Sequence, residues 1–298
     1  MSLAHEFTYE RPKTVDEVLL LKRQFGSKAF ILAGGTDLIV NIKEGMLTPD
    51  LLIDIKEVAE LKKLSLNGEM LFIGASISFD ELIERSEVQS YFPMLHDACK
   101  TVASHGVRTR ATVIGNICSA VPSLDSAPAL LCHDAIVHCA SFDAKRDIPI
   151  REWFLAPRKT ALQDIEIVTG ISIPKVPESA GIYVKLGRYG GEDLAQAGWG
   201  IMLSRDLQYR IAHCALGPVP KRAAQIEALL DGNELSDSLI AEAIKLIPEE
   251  ISPITDIRSS KEYRTHVSGV MLKRGLYAAR DRLHGKKVDA AKLLGGIA

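Results

Sequence analysis

A short apolar run, Phe30, Ile31 and Leu32, stops at Ala33 and two adjacent glycines, Gly34 and Gly35. Thr36, Asp37 and an apolar-periodic segment from Leu38 to Lys43 follow. The pattern predicts a strand, a tight turn and a helix start. A glycine pair lets the backbone take positive φ and lets another group approach it closely. Thr36 or Asp37 is placed to cap the helix. Free N–H groups at such a turn suit phosphate oxygens. An ordinary strand-to-helix turn explains the same residues.

The 298 residues are 47% hydrophobic and 25% charged with a formal net charge of -2. That is a globular composition, long enough for about two domains. It carries no basic excess for nucleic acid or an anionic membrane. No apolar run reaches the roughly 18 residues of a membrane span. The first residues include acidic side chains and no apolar stretch of a secretory signal, so a cytoplasmic location is expected. The cysteines are Cys99, Cys118, Cys132, Cys139 and Cys214, with no CxxC pair, and they read as reduced, buried thiols. Cys132, His133, His138 and Cys139 come nearest to a metal pattern, but neighbours on a strand point to opposite faces, so no metal site is expected.

Thr14 to Glu17 and Ser78 to Glu81 read as capping boxes that open helices. Strands are expected at Leu51 to Ile55, Leu71 to Ala75 and Ala135 to Cys139, and at the alternating run Asp164 to Ile173. Gly106 to Leu131 starts with Arg108 and Arg110, continues as an apolar strand and turns through Gly115 and Asn116. The polar segment Lys175 to Gly181 is a linker candidate. Beyond it, Ile182 to Arg188, Trp199 to Ser204 and Tyr209 to Leu216 predict an antiparallel meander. Helices at Arg222 to Leu230, Ser236 to Leu246 and Ser260 to about Leu283 would cover one face of that sheet. The chain thus divides at 1–57, 58–175 and 176–298, with an α+β character overall.

No GxSxG, HExxH, P-loop or GxGxxG is present. What remains is a pair of glycine-containing turns, each expected after a strand, which could clamp a diphosphate from both sides.

AGGTDL at Ala33 to Leu38, TVIGN at Thr112 to Asn116 and the loop to Asp125 resemble the FAD-binding subunit of the molybdenum hydroxylases. That family includes xanthine dehydrogenase and carbon monoxide dehydrogenase. KTALQ at Lys159 to Gln163, IVTGISIP at Ile167 to Pro174, YVKLGRYGGEDLAQAG at Tyr183 to Gly198 and SSKEYRTHV at Ser259 to Val267 extend the resemblance in order along nearly the whole chain. It implies two FAD-binding subdomains of the vanillyl-alcohol-oxidase type and a C-terminal domain with a three-stranded antiparallel sheet and helices. It also implies FAD as cofactor, with a small [2Fe–2S] subunit and a large molybdopterin subunit as partners and NAD+ or another acceptor.

The resemblance assigns roles. Ala33, Gly34, Gly35, Thr36 and Asp37 form the first diphosphate turn. Thr112, Ile114, Gly115 and Asn116 occupy the second. Asp125 would bond a flavin-side hydroxyl, although a helix cap also explains it. Val168 would lie near the flavin ring and Lys185 beside its pyrimidine end, where a cation favours reduction; a solvated strand lysine is the plain alternative. Ile114 replaces the usual first glycine of the second turn, and a β-branched residue resists positive φ. Ala156-Pro157-Arg158-Lys159 replaces the usual GPGK. Arg108 and Arg110 match a basic pair before the second turn. A scaffold that has lost FAD is the alternative function, with Ile114 in its favour. A stand-alone flavin oxidase ranks last, for want of a substrate base.

Overall fold

The structure is a computed structural model that describes residues 5–188 and 192–294. The resemblance motif at Tyr183 to Gly198 therefore includes three positions, 189–191, outside the described residues.

The first sheet has three parallel strands, β1 (Thr8–Glu10), β2 (Ala29–Leu32) and β3 (Leu51–Asp54), in the order β1-β3-β2. Helices Val15–Phe25 and Leu38–Lys43 connect them. Thr14 caps the first helix by accepting the Glu17 N–H. Glu17 bonds the Lys13 N–H instead of that of Thr14, so only half of the expected capping box forms. Gly26, at φ 53°, ends the helix.

The second sheet contains β4 (Leu64–Asn67), β5 (Met70–Gly74), β6 (Ile136–Ala140), β7 (Lys145–Pro149) and β10 (Ile167–Pro174). A separate pair, β8 (Phe154–Ala156) and β9 (Lys159–Thr160), lies between them in sequence. The order is β4-β5-β10-β6-β7, antiparallel throughout, with β10 in the centre. Ser78 and Glu81 form a complete capping box at helix Phe79–Ile83.

The residues expected to form an apolar strand before the second glycine turn are helical instead. Helix Val113–Ser119 starts at Thr112, whose hydroxyl accepts the Gly115 N–H at 2.9 Å. Thr112 itself makes only an isolated bridge to Ser78. The N-cap bond three residues ahead outweighs the β-branched propensity of Val113 and Ile114.

The C-terminal sheet is a meander of β11 (Ser179–Leu186), β12 (Ala197–Ser204), β13 (Tyr209–Cys214) and β14 (Lys221–Arg222). The short β14 makes it four-stranded where three strands were expected. β11 also begins inside the expected linker. Every residue of β12 is buried, because the sheet is covered on both faces and not on one. Helix Lys261–Leu283 lies on one face and comes close at Gly275, where a Cβ would sit 2.4 Å from Ile201 Cδ1. Helices Pro93–Lys100 and Ser126–Cys132 of the preceding unit cover the other. Even-numbered residues such as Ile182 and Val184 join the C-terminal core; Tyr183 joins the larger core below the preceding helices. Among the described residues no helix is long and apolar enough to cross a membrane.

Candidate flavin site

A cleft of about 860 Å³ runs between the first two sheets, within the range of sites for small organic ligands. Ala33, Gly34, Gly35, Thr36 and Asp37 line it, together with Thr112, Ile114, Gly115, Asn116, Asp125 and Val168. Residues far apart in sequence are thus brought to one place.

The first turn leaves β2 at Leu32, and Gly35 takes φ 76°. Gly34 is needed for a different reason. A Cβ there would lie 2.1 Å from the Arg110 carbonyl oxygen. The close approach is to the chain's own backbone, which joins the first turn to the second. Neither Thr36 nor Asp37 caps helix Leu38–Lys43 through its side chain. Among the described residues the N–H groups of Gly34, Gly35, Thr36 and Asp37 have no protein acceptor.

The second half is the start of helix Val113–Ser119. Ile114 sits in its first turn, 4% exposed and packed in the core, with no call for positive φ. The missing glycine therefore breaks nothing, and the expected conflict at Ile114 does not arise. The Ile114 N–H group has no acceptor among the described residues. Asn116 Oδ1 accepts from the Ser126 hydroxyl at 2.7 Å, which leaves the amide NH2 as its spare donor. The two turns thus offer a row of N–H donors, the donor set that a diphosphate needs.

Asp125 stands at the N-terminus of helix Ser126–Cys132 but makes no capping bond, so the cap alternative fails. Its Oδ2 accepts from Lys185 Nζ at 2.9 Å and its Oδ1 from the Tyr183 hydroxyl at 2.7 Å. Burial raises the Asp125 pKa, while Lys185 and Tyr183 pull it the other way. Lys185 is not part of the cleft lining. It is buried behind Asp125, with a further bond to the Thr101 carbonyl at 2.8 Å. It is not a solvated lysine, and it does not line the cleft wall. Val168 lies on the wall where the β10–β6 register shifts.

Arg108 turns away from the cleft and donates to the carbonyls of Val102 and Ala103. Arg110 contributes its carbonyl oxygen beside Gly34, and neither arginine side chain lines the wall. The wall also includes Arg158 and two residues not singled out in the sequence, Lys22 and Glu166. Arg158 belongs to the segment that departs from GPGK and takes φ 60°. Burial opposes ionisation of Glu166, but Arg146 and the Gln163 N–H outweigh it and lower its pKa. Lys22 is held by the carbonyls of Gly26 and Ala29, and burial lowers its pKa. No sequence motif marks Lys22 or Glu166, because their partners lie on other elements or on the backbone. Among the described residues no group of three or more His, Cys, Asp or Glu side chains could hold a metal ion.

The donor row fits a dinucleotide diphosphate, and the buried, charge-balanced carboxylate fits a hydroxyl of the same ligand. The family described as "FAD binding domain in molybdopterin dehydrogenase" matches residues 5–176. That described as "CO dehydrogenase flavoprotein C-terminal domain" matches residues 184–279. The carbon monoxide dehydrogenase medium chain of Hydrogenophaga pseudoflava is 31% identical over 278 residues, 92% of this chain and 96% of that one. The xanthine dehydrogenase FAD-binding subunit of Escherichia coli O157:H7 is 27% identical over 286 residues, covering 94% and 98%. A solved carbon monoxide dehydrogenase from Hydrogenophaga pseudoflava, lacking the Mo-pyranopterin moiety, superposes with a TM-score of 0.90 at 31% identity over 95% of this chain and 99% of that one. With its cleft built from both matched segments, the chain belongs to the family of FAD-binding medium subunits of the molybdenum hydroxylases.

Proposed function

We propose that the chain is the electron-transfer subunit of a molybdenum-dependent dehydrogenase. Its electrons would come from the [2Fe–2S] clusters of a small partner subunit and ultimately from a large molybdopterin subunit. They would leave to NAD+ or another acceptor. Substrate oxidation would belong to the large subunit, and a cytoplasmic location follows from that role. Three units, 1–57, 58–175 and 176–298, would share the work. The first two carry the diphosphate-facing turns; the third supplies Tyr183 and Lys185.

The single observation that supports this reading most is the row of acceptor-free N–H groups on two turns that meet at Gly34 and Arg110. Gly34, Gly35, Thr36 and Asp37 would hold one side of the diphosphate, with the Thr36 hydroxyl as a further donor. Thr112 fixes the second turn by its cap bond, and Ile114 and Asn116 present donors from it. Asp125 would accept from a flavin-side hydroxyl with the lone pairs left over by Tyr183 and Lys185. Val168 would exclude water from the ring. FAD bound in this cleft supplies the acceptance and delivery of electrons, which no side chain of this chain provides.

The purified full chain tests the assignment. Flavin absorption bands near-stoichiometric with protein are expected, and mixing with the reduced [2Fe–2S] subunit should bleach them. A colourless chain that stays colourless with added FAD refutes the assignment. The alternative, a scaffold without FAD, drew its support from Ile114, whose place in the first turn of a helix needs no positive φ.

A further inference from the structure

We propose that Tyr183 is a positioning residue of the flavin site, which aims the Asp125 carboxylate into the cleft. The inference rests on the reading of Asp125 as the acceptor for a flavin-side hydroxyl.

Tyr183 and Lys185 are two residues apart on β11 and so point to the same face of the sheet. Both reach Asp125, and they take different oxygens, at 2.7 and 2.9 Å. A carboxylate has about four lone-pair sites. One donor on each oxygen fixes its rotation and leaves the others for the cleft that Asp125 lines. Lys185 supplies charge, and Tyr183 supplies direction.

A core tyrosine that merely found partners would need no accommodation. Here the sheet makes room for the hydroxyl. On β12, a Cβ on Gly198 would sit 2.4 Å from the Tyr183 oxygen and 2.5 Å from Cys214 Sγ. Gly198 pairs directly with Lys185 on one side and with Cys214 on the other. Cys214 Sγ lies 3.3 Å from the Tyr183 oxygen. Since the phenol proton goes to Asp125, the thiol is the donor in that contact. A file of donors thus runs from Cys214 through Tyr183 to Asp125. All three residues are buried.

The test compares the wild-type chain with Tyr183→Phe, Asp125→Asn and the double variant. FAD dissociation is read by flavin fluorescence, and ADP, which lacks the flavin-side hydroxyls, is the control ligand. Tyr183→Phe should weaken FAD about tenfold, as loss of one charge-assisted bond does. ADP should bind all three variants within about twofold of wild type, and Tyr183→Phe should add less than about twofold to Asp125→Asn. Unchanged FAD affinity in Tyr183→Phe overturns the proposal. So does a parallel loss of ADP binding, the mark of a general structural effect, and so does full additivity with Asp125→Asn. A wild-type chain that takes up ADP but no FAD overturns the underlying reading of Asp125, a result seen before any variant is compared.

Discussion

A side chain on Gly34 would place its Cβ 2.1 Å from the carbonyl oxygen of Arg110, 2.7 Å from its carbon and 2.9 Å from Ala111 Cα. All three are backbone atoms and cannot swing aside. The two halves of the donor row are held at a fixed separation by this contact. Gly34→Ala should therefore force them apart and raise the FAD dissociation constant at least about tenfold. Gly106→Ala, where a Cβ meets nothing within 4 Å, is the control and should leave it unchanged. Equal affinities for the two variants, measured by flavin fluorescence, would contradict this account.

Ile114→Gly should not improve FAD binding. The residue is 4% exposed in the first turn of a helix, so the change opens a cavity and adds a helical glycine. A loss of roughly 2–5 kcal/mol is expected from the cavity, with about 1 kcal/mol more from the backbone. Urea denaturation measures the loss, and tighter FAD binding by a fully stable variant would show that the side chain obstructs the site.

Burial lowers the pKa of His133 and of His213 from 6.5 to about 4. Each accepts a proton in the unfolded chain before it does in the folded one. Their contribution to stability is complete above about pH 6.5 and is lost as the pH falls toward 4. Each should add a slope of about 1.4 kcal/mol per pH unit inside that window. Denaturation midpoints at pH 7 and pH 5 give the slope. His133→Gln and His213→Gln should each remove part of it, and wild-type slopes in both variants would rule the histidines out as its source.

Arg282 ties the long C-terminal helix to the preceding unit. Its Nη1 donates to Asp97 Oδ2 at 2.6 Å and to the Gly181 carbonyl at 2.8 Å, and its Nη2 donates to Val288. Burial raises the Asp97 pKa, against the pull of Arg282. Arg282→Met leaves a buried carboxylate without its partner and should cost about 3–5 kcal/mol. Adding Asp97→Asn should recover part of that loss. A double variant no more stable than Arg282→Met would mean that the arginine acts through the two carbonyls.

Local signals were legible because they close within a few residues. Ser78, Ser236 and Ser260 each accept an N–H three positions on, and each opens a helix where the sequence places one. The glycine turn at Gly34 and Gly35 is of the same kind. The misread segment, Val113 to Ser119, has the same cap at Thr112, but its apolar β-branched start mimics a strand. β1 escaped notice because three residues carry no period and their pairing with β3 is distant. β14, two residues long, escaped for the same reason. At the site, backbone donors could be placed from glycine and threonine alone. The tie from Lys185 to Asp125 spans 60 residues and depends on packing between two units, which no local pattern encodes.

Synthesis order adds a consequence to the attachment of Asp125. A growing chain that has reached Pro174 already holds both glycine-bearing turns and Asp125, yet neither donor to that carboxylate has been made. Tyr183 and Lys185 come later on β11, and Cys214 comes later still on β13. Until they arrive, the acidic side chain has no cation to balance it and no hydroxyl to aim it. The carboxylate thus takes its final setting only when the third sheet has closed over it.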